Sequence, residues 1–271
     1  MSGGWGGVDT AAAYARTCAL LCAGAHDDLV EALGGSDALA GRRVLDAGCG
    51  DGRLTARLSA AGATLTACDA DPQMAALAGR TVPTADVVVA ALPRLPLADA
   101  AVQATVAAFV VNHLAAPAAG VRELTRVTAP GGVVAVTIWP SGRNAQARLW
   151  GRVLDDAGVQ PVASTRLPAH LDFARTEEGL ADLMTAQGLQ DVSARTLAWQ
   201  HRGPAEQLWE GAAAGIGGIG TTVAGQPDDV RRRLRAAYDE HVAALLVDGE
   251  LSFTTEAVLA TGVVAQTRRS G

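Results

Sequence analysis

The stretch "VLDAGCGDG" (residues 44–52) ends an apolar run with three glycines set among two aspartates, Asp46 and Asp51. Its plainest reading is a Gly-rich turn that joins a strand to a helix. The nearest rival is a dinucleotide loop, GxGxxG. Here Gly48, Gly50 and Gly52 alternate, so the third glycine falls one residue early. Charge separates the two readings more sharply. A pyrophosphate at a helix N-terminus wants N–H donors and a positive dipole. Two flanking carboxylates repel it, each by ~4 kcal/mol at ~4 Å and an effective dielectric of ~20. The loop suits a ligand that lies close to the backbone and carries positive charge.

Asp69 ends the next apolar run, "ATLTACD", 21 residues after Gly48. An acidic side chain at that place accepts both hydroxyls of a ribose. A nucleoside that carries positive charge instead of phosphate fits both facts. S-adenosylmethionine, with its sulfonium and ammonium groups, is such a molecule.

Outward from these acids, strand and helix alternate. "RRVLDAG", "ATLTACD", "ADVVVAAL", "AVQATVAAFVV" and "VVAVTIW" read as strands, and "DGRLTARLSAAG", "DPQMAALAGR" and "AAGVRELTRVTAPGG" as helices between them. Strands apolar on both faces imply a parallel sheet covered by helices on both sides. Ligands bind such sheets at the carboxyl ends of the strands. A helical front, "TAAAYARTCALLCAG" capped by Asp9 and then "HDDLVEAL", precedes the alternation, and regularity stops after Trp139. The expected organisation is one domain over 1–271. Residues 1–40 form a helical cap, 41–139 the cofactor-binding core, 140–188 an inserted lid, and 189–271 the remaining sheet and helices.

Bulk properties narrow the function. The chain has 271 residues, 49% hydrophobic and 18% charged, with net charge −6, a globular composition with no general attraction to nucleic acid or acidic lipid. "RRRLR" (residues 231–235) spreads around a helix and reads as a solvated face. Every basic side chain apart from histidine is arginine, which points to a high-GC bacterial source. "MSGGWGGVDT" lacks the basic start and apolar stretch of a secretory signal, and no apolar run spans a membrane. A cytoplasmic location is expected. Cys18, Cys22, Cys49 and Cys68 have no metal-site spacing and read as small core residues, so no metal is expected.

Four motifs in order, "VLDAGCGDG", "LTACDADPQM", "LPRLPLADAAVQATVAAFVVNHL" and "LTRVTAPGGVVAVTIW", resemble the class I S-adenosylmethionine-dependent methyltransferases. The likeness is to the small-molecule branch related to ubiquinone and menaquinone methyltransferases, and it covers residues 42–139. It implies a Rossmann-like α/β fold, with a seven-stranded, mostly parallel sheet whose last strand is antiparallel. It also implies that Gly48, Cys49 and Gly50 approach the methionine part of the cofactor, with Asp46 behind them. Asp69 would hold the ribose, Ala70 and Met74 lie near the adenine, Leu92 on its other face, and Phe109 near the methionine backbone. Where relatives place an acid for the adenine amino group, this chain has Ala91.

Methyl transfer is an in-line displacement that depends on positioning, and needs a base only when the attacking atom must lose a proton. His113 is the candidate base, the rival role being packing against cofactor or lid. Tyr14 is a candidate for orienting substrate or cofactor. His170, Trp139, Trp199 and Trp209 are possible pocket walls, Trp5 a possible closing residue, and His26 a surface group at a helix start. The leading expectation is methyl transfer to N, O or C of a small molecule in specialised metabolism. Its rivals are a cyclase of the same fold and a cofactor sensor. The partner expected is a small methyl acceptor, with oligomeric state open.

Overall fold

The computed structural model describes residues 8–142, 144–162 and 167–266. Trp5 lies outside them, as do residues 163–166 of the Pro-containing segment. Residues 25–141, 167–197 and 257–266 form one compact unit. Residues 8–24, with 142, 144–162 and 198–256, form the other.

The first unit is a sheet of β1 (Arg43–Ala47), β2 (Thr64–Asp69), β3 (Asp86–Val89), β4 (Val102–Ala108), β5 (Thr128–Ile138) and parts of β6 (Leu189–Gly203) and β8 (Glu250–Val264). The order is β3-β2-β1-β4-β5-β8-β6. Neighbours from β3 to β5 run parallel. β8 lies antiparallel to β5, from Val133 opposite Val263 to Ile138 opposite Val258. This is the Rossmann-like α/β arrangement of a doubly wound sheet. The two-residue β7 (Leu246–Val247) stands off the path and pairs with the start of β8.

The apolar runs form strands here because both faces are covered. In β1 every residue after Arg43 is buried, and β4 is buried along most of its length. Leu124 and Val127, on helix Pro117–Val127, pack into one cluster with Val134 and Val136 of β5. From β1 the chain proceeds through β2 to β3 on one side, then returns to β4 on the other. The carboxyl ends of β1 and β4 therefore border a crevice, where such sheets bind ligands.

Several local expectations change. β4 stops at Ala108 and gives way to a 3-10 turn, Val111–His113, so the apolar "FVV" is no strand. β5 begins at Thr128, and the preceding helix ends at Val127, ahead of the glycine pair. His26 is buried rather than superficial, which pushes its pKa down to about 4 and leaves it neutral.

In the other unit the front helix is two pieces, Val8–Arg16 and Cys18–Cys22, broken at Thr17. The Thr17 hydroxyl donates to the Ala13 carbonyl at 2.7 Å, the local competition that weakens a helix at threonine. Asp9 lies inside the first piece, one residue after its start, rather than before it. Trp150, Trp209 and Tyr238 stack with centroids 5.3 to 6.2 Å apart. Arg231, Arg233 and Arg235 pair with acids, Asp228, Asp229, Glu206 and Asp239, as a solvated face does. Among the described residues no helix is long and apolar enough to cross a membrane.

Leu124 is fully buried against β5. Leu124→Ala should lower the unfolding free energy by about 2–5 kcal/mol, read as a lower urea midpoint at unchanged slope.

Candidate functional site

At the end of β1 the chain turns through three glycines with positive φ, Gly48 at 79°, Gly50 at 54° and Gly52 at 84°. The turn is fastened to the end of β2. Gly48 and Cys49 both donate their N–H to the Cys68 carbonyl, at 2.7 and 2.9 Å. Gly50 N–H donates to Oδ2 of Asp69 at 2.9 Å, and Asp71 N–H donates to Oδ1 at the same distance. With about four lone-pair sites, the Asp69 carboxylate is not saturated by its backbone donors. Its pKa is raised by burial, against the lowering by those backbone bonds. Asp71 in turn caps helix Pro72–Thr81 by accepting from Gln73 N–H.

A side chain at Gly48 has no room. A Cβ there would stand 2.3 Å from Cγ2 of Val110, which follows β4. Bare backbone at Gly48 is thus what lets the loops after β1 and β4 meet across the crevice. Cys49 uses its N–H on Cys68 and its carbonyl on Gly52, and its buried side chain packs with Ala67 and Ala78. It shapes the loop and has no spare backbone donor. Burial pushes both thiols up, Cys68 to about 12, so neither is a nucleophile.

The two acids of the opening motif part company. Asp51 pairs with Arg53, whose Nε donates to Oδ2 at 2.7 Å, and the loop anion expected there is neutralised. Asp46, 1% exposed, accepts from the Thr55 hydroxyl at 2.7 Å through Oδ2. Its Oδ1 is buried and has no partner among the described residues. Burial raises the Asp46 pKa from 3.8 to about 7, with Asp69 and Asp51 adding to the effect and Thr55 opposing it. The acids at the site without a basic partner among the described residues are therefore Asp46 and Asp69.

Phe109, directly after β4, adopts φ 59°, an uncommon conformation for a large side chain. Its N–H donates to the carbonyl and the hydroxyl of Thr137, at 2.9 and 3.1 Å. Its ring stacks on Trp139 with centroids 4.1 Å apart. That pairing is a contact between the ends of β4 and β5 that no local pattern encodes. Beyond β3, Ala91 is exposed and bridged to Arg94, while Leu92 is half-buried beside Gly120. Glu123 holds the far end of this segment by accepting from Leu95 N–H at 2.7 Å, and Arg126 ties Glu123 to Asp99. Sequence reading passed over Glu123, whose "REL" context carries no signal for a loop 28 residues away. Met74 is buried and Ala70 exposed.

His113 is exposed on the turn Val111–His113, with its Nε2 3.4 Å from the Asn112 amide. Desolvation by its surroundings still lowers its pKa, so the ring is neutral at pH 7 and able to accept a proton. Asp46, Gly48, Cys49, Gly50, Asp69, Ala70, Met74, Ala91, Leu92, Phe109 and His113 all belong to one unit. Tyr14 belongs to the other, where its hydroxyl stands 4.0 Å from Cys22 Sγ. His170 is exposed, and Trp199 and Trp209 are half-buried. Among the described residues no group of His, Cys, Asp and Glu could hold a metal.

The residues fit a cationic nucleoside. They offer a backbone cradle that a Cβ at Gly48 would fill, a buried carboxylate oxygen without a partner, and a second carboxylate with spare lone pairs at the next strand end.

Comparison with known proteins agrees. Residues 45–136 match the family described as "Methyltransferase domain". Over 96 residues the chain is 36% identical to the demethylmenaquinone methyltransferase of Beutenbergia cavernae, covering 35% of this chain and 40% of that relative. The match therefore spans well under two thirds of the relative's length. The YcgJ protein of Bacillus subtilis is 16% identical and shares the fold with TM-score 0.57, over 89% of this chain and 98% of that one. The cyclase SpnF, 20% identical, does so with TM-score 0.51 over 89% of this chain and 80% of its own. Residues 45–136 thus match a methyltransferase domain on a fold shared with these solved structures.

A buried acid whose pKa is raised on folding is protonated in the folded chain over a range where the unfolded chain is ionised. Stability from this group is full below pH 3.8 and is lost as pH rises towards 7. Asp46→Asn, measured without ligand, should flatten that decline and raise the unfolding free energy at pH 8 by about 1–3 kcal/mol. A parallel fall in both proteins between pH 4 and 7 would remove Asp46 as its source.

Proposed function

We propose that the chain transfers a methyl group from S-adenosylmethionine to a nitrogen, oxygen or carbon atom of a small molecule. The observation that carries this reading is the unpartnered Oδ1 of Asp46 beneath a glycine cradle, one strand away from Asp69. When bound, the cofactor supplies a methyl group already activated on a sulfonium. Asp69 would accept its ribose hydroxyls, and Gly48 and Gly50 would let the methionine part approach the backbone. Asp46 would place negative charge beneath the cationic end, while Ala70, Met74 and Leu92 enclose the adenine. With Ala91 in place of an acid, the adenine amino group is left to backbone groups. Phe109, fixed on Trp139, would border the methionine part. His113 would take the acceptor's proton where one must leave, and Tyr14 would orient the acceptor. Residues 41–139 would then serve as the cofactor-binding core of one functional domain, with 1–40 as a helical cap and 140–188 as a lid or substrate insertion.

Net charge −6 favours a small acceptor over RNA or DNA. The composition favours bacterial specialised metabolism. A second reading keeps the pocket and changes the reaction, since a protein named as a cyclase has this fold.

Acceptor-dependent release of S-adenosylhomocysteine separates the two readings. Incubation with S-adenosylmethionine and a panel of phenols, hydroquinones and amines should yield S-adenosylhomocysteine in step with a methylated product. Cofactor binding with conversion of an acceptor but no S-adenosylhomocysteine would favour the cyclase reading. With an acceptor that must lose a proton, His113→Ala should lower kcat by about 10²–10⁴ at pH 7 and remove the acidic limb of the pH profile, which lies below the ordinary histidine value. Unchanged turnover across pH would remove His113 from the role.

A further inference from the structure

A second concavity lies wholly within the unit that holds Tyr14, between helix Cys18–Cys22, helix Ala145–Ala157, the turn after β6 and the start of β8. Its empty volume, open mouth included, is about 520 Å³, a space for one or two rings but not for a polymer. The walls are apolar, chiefly Leu21, Trp150, Leu208 and Phe253. No Asp, Glu or Arg side chain lines it. Thr17 lines it too, with its hydroxyl donated to the Ala13 carbonyl, and the side chains of Gln146, His201 and Gln207 have no hydrogen-bond partner among the described residues.

Two of these polar groups converge. Gly203 is buried, and a Cβ on it would lie 2.8 Å from Gln207 Oε1 and 3.8 Å from His201 Nε2. Both atoms thus lie within 4 Å of one point beside the Gly203 backbone. The His201 ring is held at 5.3 Å from Phe253, and burial lowers its pKa, so it is uncharged at pH 7. A carboxylate or ammonium entering this space would lose hydration and meet no counter-charge. A hydroxyl or carbonyl would find an amide and an imidazole, with an indole and a phenyl ring beside them.

We propose that this pocket binds an uncharged, predominantly apolar molecule of one or two rings, oriented through a hydroxyl or carbonyl group by Gln207 and His201. Under the methyl-transfer reading, a molecule of this chemistry is the acceptor. This last clause rests on that reading, whereas binding itself does not.

The test is isothermal titration of the full chain, without cofactor, against 2-naphthol, naphthalene, 2-naphthoate and 2-naphthylmethylamine. The wild type should bind 2-naphthol about tenfold tighter than naphthalene, as one hydrogen bond gives, and tighter than either charged compound. Gln207→Leu should abolish the preference for 2-naphthol while leaving naphthalene binding intact. Leu208→Glu should turn the preference towards the amine. Equal binding of 2-naphthoate, no binding of 2-naphthol, or a preference that survives Gln207→Leu would overturn the proposal. Thermal unfolding of the same variants with S-adenosylmethionine checks that they fold. It also reads the cofactor site separately, so a chain that binds 2-naphthol but not the cofactor contradicts the methyl-transfer reading and leaves this one standing.

Discussion

The site depends on one fastening, the end of β2 against the turn that follows β1. The Cys68 carbonyl takes two N–H groups from that turn, and the Asp69 carboxylate takes one more before reaching forward to Asp71. Four backbone donors are thereby satisfied by two consecutive residues, in a place where unsatisfied ones would be costly. The left-handed glycines set the path, but these bonds hold it. They also fix the Asp69 carboxylate in place with acceptor capacity left over. Helix Pro72–Thr81 starts from the same anchor, so the loop, the acid and the helix keep one geometry.

Asp46 represents a different balance. A carboxylate with one oxygen satisfied and the other bare, 1% exposed, makes the free chain less stable near neutral pH than an amide would. Such costs concentrate at sites where a ligand is later met. The opposite holds for Asp51, which Arg53 neutralises from two residues away. Two aspartates five residues apart in the sequence thus do unlike work. One is a buried acid with an oxygen left unpaired, and the other is a local ion pair.

Much of the architecture was legible because it follows from local pattern. Runs such as "RRVLDAG" and "AVQATVAA" are apolar on both faces, and only covered parallel strands are buried that way. The glycine turn was legible because left-handed backbone excludes most side chains. What escaped depends on partners distant in the chain. The burial of His26, the Glu123 bond to Leu95, the stacking of Phe109 on Trp139 and the Arg53 pairing with Asp51 are decided by tertiary neighbours. The end of β4 escaped because "FVV" is as apolar as the strand before it. The turn there comes from Phe109, held in a left-handed conformation by Thr137. The break at Thr17 was hidden in an alanine-rich run that reads as one helix. The antiparallel place of β8 was implied by the family resemblance alone.

The central claim is that the loop of residues 44–52, with Asp69, takes a cationic nucleoside and refuses a dinucleotide. Thermal unfolding with S-adenosylmethionine, S-adenosylhomocysteine and NAD in separate samples tests it most directly. At a hundred times the dissociation constant, the two sulfur compounds should each raise stability by about 2.7 kcal/mol, a rise of roughly 5–10 °C in midpoint. NAD should leave the midpoint unchanged. A rise with NAD alone would contradict the account.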